Sequence, residues 1–202
     1  MASTQKKDNV TVPIKPSLDF EATVKARLYN QRTLVLSGEI EECEACALTN
    51  LLQALAESSE PITLLITSYG GAVEAGGTII RAIRYAQSNG CEVIGEVRGY
   101  AMSMGAAILQ ACDLRFAAPE DIVMVHGFTG QSVGDIRNTE ADAKMTRQLT
   151  TIYAKFYAER STAEDTKYHS EEYWSTLLKD SLPHYYFGYE ALEKGLIDEV
   201  IL

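Results

Sequence analysis

ITLLITSYGG (62–71) is a run of leucines and β-branched residues that ends on a glycine pair. Its first six residues are apolar or β-branched without polar alternation, which predicts a strand buried on both faces, as in a parallel sheet. Helical spacing follows in AVEAGGTIIRAIRYAQ (72–87), then a strand in CEVIGEV (91–97) and a short apolar helix in SMGAAILQAC (103–112). Upstream lie TLVLSG (33–38), a strand stopped by Gly38, and EECEACALTNLLQALAES (41–58), a helix with Leu48, Leu51, Leu52 and Leu55 at helical spacing. Downstream, LRFA (114–117) and IVMVH (122–126) read as two more short strands. Strands alternating with helices imply βαβ units and a mostly parallel sheet, so the fold class is α/β.

After His126 the pattern changes. GFTGQSVG (127–134) is glycine-rich without an apolar face, and a long helix is expected from about Asp135 to Arg160. Met145, Leu149, Ile152 and Phe156 form a stripe on it, with Tyr153 and Tyr157 beside them. A helix this long with no strand behind it is expected to project as a handle, over about 132–160, and to pack on another subunit. Small helices follow over 163–178, and PHYYFGYEALEKGLIDEVIL (183–202) closes the chain. Residues 1–18 read as a polar, flexible tail, and 19–202 as a single domain that begins with a short amphipathic helix in DFEATVKARLY (19–29).

The composition narrows the function. The chain has 202 residues, 46% of them hydrophobic, and 18 Lys and Arg against 28 Asp and Glu give a net charge of −10. That balance lacks the basic footprint a nucleic-acid partner requires. No apolar run reaches the roughly 18 residues of a membrane span. MASTQKKDNVTVPIKP (1–16) has no apolar signal stretch and the first arginine is Arg27, so a cytoplasmic location is expected. The four cysteines make no disulfide framework. Cys91 and Cys112 are expected as buried thiols. Cys43 and Cys46 form a lone C-x-x-C, read as two small residues on the first turns of a helix, since no second pair completes a zinc set. With no clustered ligand set and no P-loop, no metal, nucleotide or other cofactor is expected.

Three strand ends carry residues capable of chemistry. In SYGG (68–71) the glycines allow close backbone approach and leave amides free to face an anion; the same letters also suit a tight strand-to-helix turn. In GYAMSMG (99–105), Ser103 stands where the chain turns into a helix. A serine there commonly caps the helix, and it is also where a nucleophile meets amides that stabilise an oxyanion. His126 ends a core strand, a place where histidine is more often structural, yet it is the base candidate carried by the core; His169 and His184 lie in polar context.

ITLLITSYGGAVEAG, GYAMSMGAAI, FAAPEDIVMVH and EALEKGLIDEV occur in that order, at spacing that resembles the caseinolytic protease proteolytic-subunit (ClpP) family of S14 serine peptidases. The resemblance runs from about Arg27 to Leu202. It implies a crotonase-like spiral of βαβ units with a protruding handle helix. It further implies heptameric rings stacked as a 14-mer around a chamber, and hydrolysis of unfolded polypeptides fed by an AAA+ unfoldase. By the same resemblance Ser103 matches the nucleophile and His126 the base, and Gly71 and Met104 match the oxyanion-hole donors. Asp180 matches the triad acid once one gap is allowed, with Glu172 as the fallback. Ser68-Tyr69-Gly70-Gly71 stands where the family has S-P-G-G, and Met102 precedes the serine in place of alanine, which marks a divergent branch. Two other functions compatible with these residues are a catalytically silent ring subunit and a crotonase-type acyl-CoA enzyme; the serine at a helix start and the strand-end histidine disfavour the latter.

Overall fold

A computed structural model describes residues 18–128, 135–180 and 182–202. The chain divides into two compact units, Met1–Gln31 and Arg32–Leu202. In the first, the described residues form one helix, α1 (Leu18–Asn30). The second begins with β1 (Thr33–Ile40), α2 (Glu42–Leu55), β2 (Ile62–Gly71), α3 (Val73–Ser88), β3 (Val93–Met102) and α4 (Met104–Ala111). It continues with β4 (Leu114–Ala117), β5 (Ile122–Val125), α5 (Ile136–Arg160) and a 3₁₀ turn, Thr166–His169. It closes with α6 (Glu171–Lys179), β6 (His184–Phe187), α7 (Gly188–Glu193) and β7 (Glu199–Val200).

The expected α/β class holds. Strands β1, β2, β3, β4 and β7 follow one another in a parallel sheet, β5 pairs with β3, and β6 runs antiparallel on β5. Ile62, Leu64 and Ile66 of β2 point into the core, with Ile79 and Ile83 of α3 and Ile108 and Leu109 of α4, and all are fully buried. Removing each such side chain from water contributes about 1.5–3 kcal/mol. The opposite face of β2 is half-buried at Thr63, Leu65 and Thr67, which corrects the reading of a strand covered on both sides. SYGG is also not a turn: β2 continues through it to Gly71, and β3 likewise runs on to Met102.

Two further expectations change. Tyr153 and Tyr157, expected to lie with the stripe that packs on another subunit, instead face this chain: the inward face of α5 is Thr150, Tyr153, Ala154, Tyr157 and Ala158, while Met145 and Ile152 of the stripe are exposed. The aromatic partners explain this choice. Tyr157 stacks on Trp174 of α6 with ring centroids 5.1 Å apart, and the Tyr153 ring lies 5.1 Å from that of Phe128, aromatic contacts that hold this face of α5 inward. Trp174, the only tryptophan, is fully buried and donates its Nε1–H to Tyr168 O at 2.7 Å. The second change is β6, which was not expected as a strand. Most of the glycine-rich segment after His126, residues 129–134, lies outside the described residues. Cys43 and Cys46 sit exposed at the start of α2, whereas Cys91 and Cys112 are buried and burial pushes the Cys112 thiol up to about 12.

Fully buried Arg115 on β4 ties the end of the chain to the sheet. Its guanidinium donates to Asp198 Oδ1 at 2.6 Å and Oδ2 at 2.9 Å, to Gly195 O at 3.0 Å, to Thr162 Oγ1 at 3.1 Å, and to Gln110 Oε1. Burial alone would raise the Asp198 carboxyl, but the hydrogen bonds and charge of Arg115 overcome it and hold the group below the usual carboxylate range. A folded-state pKa below the unfolded value of about 3.9 stabilises the fold above that pH and loses its contribution as pH falls through the folded value. Replacing Asp198 by Ala leaves a buried cation unpaired and should lower unfolding free energy by about 3–5 kcal/mol at pH 7. Urea titrations at pH 7 and at pH 3 check this, with the gap to wild type expected to narrow at the lower pH.

Candidate active site

Three parallel strands end at one level, and their ends carry the site. Met102 of β3 pairs with Met124 of β5, and the Ser103 amide extends that ladder by donating to Met124 O at 2.8 Å. The chain then turns: Ser103 has φ 53 and ψ −119, and its carbonyl accepts the Ala107 N–H at 3.1 Å to open α4. A non-glycine residue held at positive φ stores about 1–3 kcal/mol of strain, which persists only where its surroundings fix it. The Ser103 hydroxyl makes no capping bond to α4. It lies 2.8 Å from His126 Nε2, the residue that follows β5. Serine and histidine therefore meet because the two strands that carry them are hydrogen-bonded neighbours.

The third strand end is the glycine pair of β2. Gly70 has φ 98, and a Cβ there would stand 2.6 Å from Ser103 Cβ and 2.8 Å from Met102 O. A Cβ on Gly71 would stand 2.6 Å from Ile40 N on β1. No other residue fits at either position, so β2 presents bare backbone beside the serine. Buried Ser68 braces the pair, accepting the Gly70 N–H at 3.1 Å and donating to Gly38 O at 2.6 Å. On the other side, Met104 is the first residue of α4, where backbone N–H groups lack helical partners and the helix dipole is positive.

Ser103, His126, Gly71 and Met104 line one cavity of about 70 Å³. Val73, Phe128, Tyr153, Tyr157 and Leu178 complete its apolar wall, and none of these was singled out from the sequence as a site residue. The signal available was the Tyr153/Tyr157 pair at i, i+4, which marks a helix face distinct from the aliphatic stripe. Burial raises both phenols above their ordinary value, so they stay neutral and act as shape rather than as acid or base.

Asp180 is not brought to this cavity. Its carboxylate accepts the Leu182 N–H at 3.2 Å and lies 3.7 Å from His184 Nε2; those are its partners among the described residues, and His126 is not one of them. It lines a separate groove with Glu172, Tyr173, His184 and Tyr186, so the fallback acid faces that groove as well. The main chain at this point does approach the site, because Gly127 packs on the backbone carbonyls of Leu178 and Asp180. The expected triad is thus a Ser103–His126 pair in this structure. Among the described residues no group of three His, Cys, Asp or Glu side chains could hold a metal ion, and no helix is long and apolar enough to cross a membrane.

The family model described as Clp protease matches residues 19–202. The chain is also similar to the ATP-dependent Clp protease proteolytic subunit 1 of Streptomyces avermitilis, at 33% identity over 192 residues, which covers 92% of this chain and 82% of the relative. A match of that extent, on a parallel sheet whose strand ends join a serine to a histidine, shows that the chain belongs to the Clp protease family.

Proposed function

We propose that the chain is the proteolytic subunit of an ATP-dependent protease: a cytoplasmic serine endopeptidase that cuts unfolded polypeptide inside an oligomeric chamber, fed by an AAA+ unfoldase. The observation that carries the chemistry is the 2.8 Å contact between Ser103 Oγ and His126 Nε2 at a serine whose hydroxyl is not spent on capping its helix. Family membership and the Streptomyces relative support the assignment to proteolysis.

In this reading His126 Nε2 accepts the hydroxyl proton as Ser103 Oγ attacks the scissile carbonyl, and then returns it to the leaving amine. Negative charge develops on the carbonyl oxygen, and the backbone N–H groups of Gly71 and Met104 receive it. They are aligned before the substrate arrives, so no reorganisation is needed as the charge forms. The apolar wall from Phe128, Tyr153 and Tyr157 shelters the side chain next to the cut bond. The pair works without an orienting carboxylate, while Asp180 braces the connection from α6 to β6 by accepting the Leu182 N–H. The same orientation of Asp180 is the one observation that favours a silent ring subunit, and a single assay separates the two readings.

Short fluorogenic peptides should be hydrolysed, and Ser103→Ala and His126→Ala should each lower kcat by roughly 10³-fold or more with strongly non-additive effects. Modest additive losses, or no hydrolysis by wild type, would sink the peptidase reading. Asp180→Asn should change kcat only a few-fold; a loss of about 10²–10⁴-fold would instead restore it as the triad acid.

The assembly proposed is two stacked heptameric rings, with α5 as the handle between them. Exposed Met145 and Ile152 on α5 support this, because burying them against a second copy removes apolar surface from water. Native mass measurement should give a heptamer or a 14-mer that falls apart on Ile152→Asp, and a stable, fully active monomer would refute the ring.

A further inference from the structure

Strand β3 changes partner halfway along. Ile94–Glu96 pair with Leu114–Phe116 of β4, whereas Tyr100–Met102 pair with Ile122–Met124 of β5. Against β2, the same strand steps from Ile66↔Val97 to Ser68↔Ala101, four positions of β3 against two of β2. Residues 98–100 therefore form a bulge against β2, with Tyr100 already paired to β5 while the backbone groups of Arg98 and Gly99 are left for side chains, and such bulges re-aim the residues that follow.

Two side chains serve them instead. Thr67 Oγ1 donates to Arg98 O at 2.6 Å. Asp121, only 6% exposed, accepts the Gly99 N–H on Oδ1 at 2.7 Å and the Ala118 N–H on Oδ2 at 2.7 Å. Its own N–H donates to Ala118 O at 3.1 Å, which closes the turn from β4 into β5. The carboxylate thus stands where β3 leaves one neighbour for the next. Gly99, at φ 92, lies four residues before Ser103, and Asp121 lies five before His126.

We propose that Asp121 is a positioning residue for the Ser103–His126 pair. Resting on the peptidase reading above, it fixes the β3 bulge and with it the register at which nucleophile meets base, and it touches neither. Magnitudes favour a functional effect. One residue of slip along a strand is about 3.3 Å and turns every side chain to the other face. A misplacement of about 1 Å in reacting groups can lower a rate by about 10²-fold. A carboxylate is the group that suits the place, because two backbone donors converge on it and both of its oxygens accept. Asparagine has the same shape but would aim an N–H₂ at one of those donors.

The test compares Asp121→Asn with wild type by three readouts. These are kcat per serine titrated with a fluorophosphonate, KM for a short peptide, and hydrogen exchange of the backbone amides. Expected is a roughly 10–10²-fold fall in kcat per titrated serine with KM held within about twofold. Exchange over residues 98–104 should rise by about tenfold or more while 62–66 stays protected. Thr67→Val should act in the same direction, and the double variant should lose less than the product of the two, since both side chains hold one bulge. A purely structural role would lower the melting temperature and the fraction of titratable serine but leave kcat per titrated serine intact; that result overturns the proposal, as does either change, kcat or exchange, without the other. The Ser103→Ala control keeps the two readings apart: hydrolysis persisting there takes down the peptidase assignment. In a chain that proves inactive, unchanged exchange over 98–104 in Asp121→Asn overturns the bulge argument by itself.

Discussion

No side chain fits between β2 and the Ser103 turn, and the arrangement of the site follows from that closeness. Gly70 lies against Ser103 Cβ and Met102 O, and Gly71 lies against the backbone of Ile40. The same tight packing continues along α4, where a Cβ on Gly105 would stand 3.2 Å from Ser68 O and one on Gly76 of α3 would run into the Met104 side chain. Helix, strand and turn are thus pressed together at glycine. The distances that matter for chemistry are set by backbone against backbone, which is stiffer than side-chain rotamers and loses no rotamer entropy when a substrate binds.

The sheet supplies the second half of this constraint. Parallel strands all end on the same side, so residues just past their ends gather there, and the gap between diverging connections is where α/β proteins place their sites. Here β2, β3 and β5 end together, and β3 reaches β5 only by leaving β4 at the bulge. A hydroxyl, an imidazole and free amides from residues far apart in sequence converge without a long loop.

The sheet and its first three βα units were legible because their signal is local. The run at 62–67, the helical spacing at 72–87 and the apolar helix from 103 each state their own structure, and the strand ends then pointed to Ser103 and His126. Features fixed by distant partners were not legible. Strand β6 is four residues after Pro183 whose strand character comes from pairing with Met124 and its neighbours. The inward face of α5 depends on where Trp174 stands in another helix. The one-gap match selects Asp180 by position, but a carboxylate's direction is decided by whichever donors lie nearby, here the Leu182 N–H, with the His184 ring 3.7 Å away. Thr67 and Asp121 carry no sequence signal of their role at all, since a short polar residue beside a strand is common and only the register shift gives it work.

The stacking of Trp174 on Tyr157 gives the protein an intrinsic optical reporter. The indole is the only one in the chain, is shielded from water and has its N–H fixed to Tyr168 O. Its stacking partner is also a wall of the cavity beside Ser103. Emission from one fluorophore therefore comes from the seam between α5 and α6, one ring removed from where a peptide side chain would sit, so occupancy of the site and loosening of α5 can be followed in solution without attaching a label.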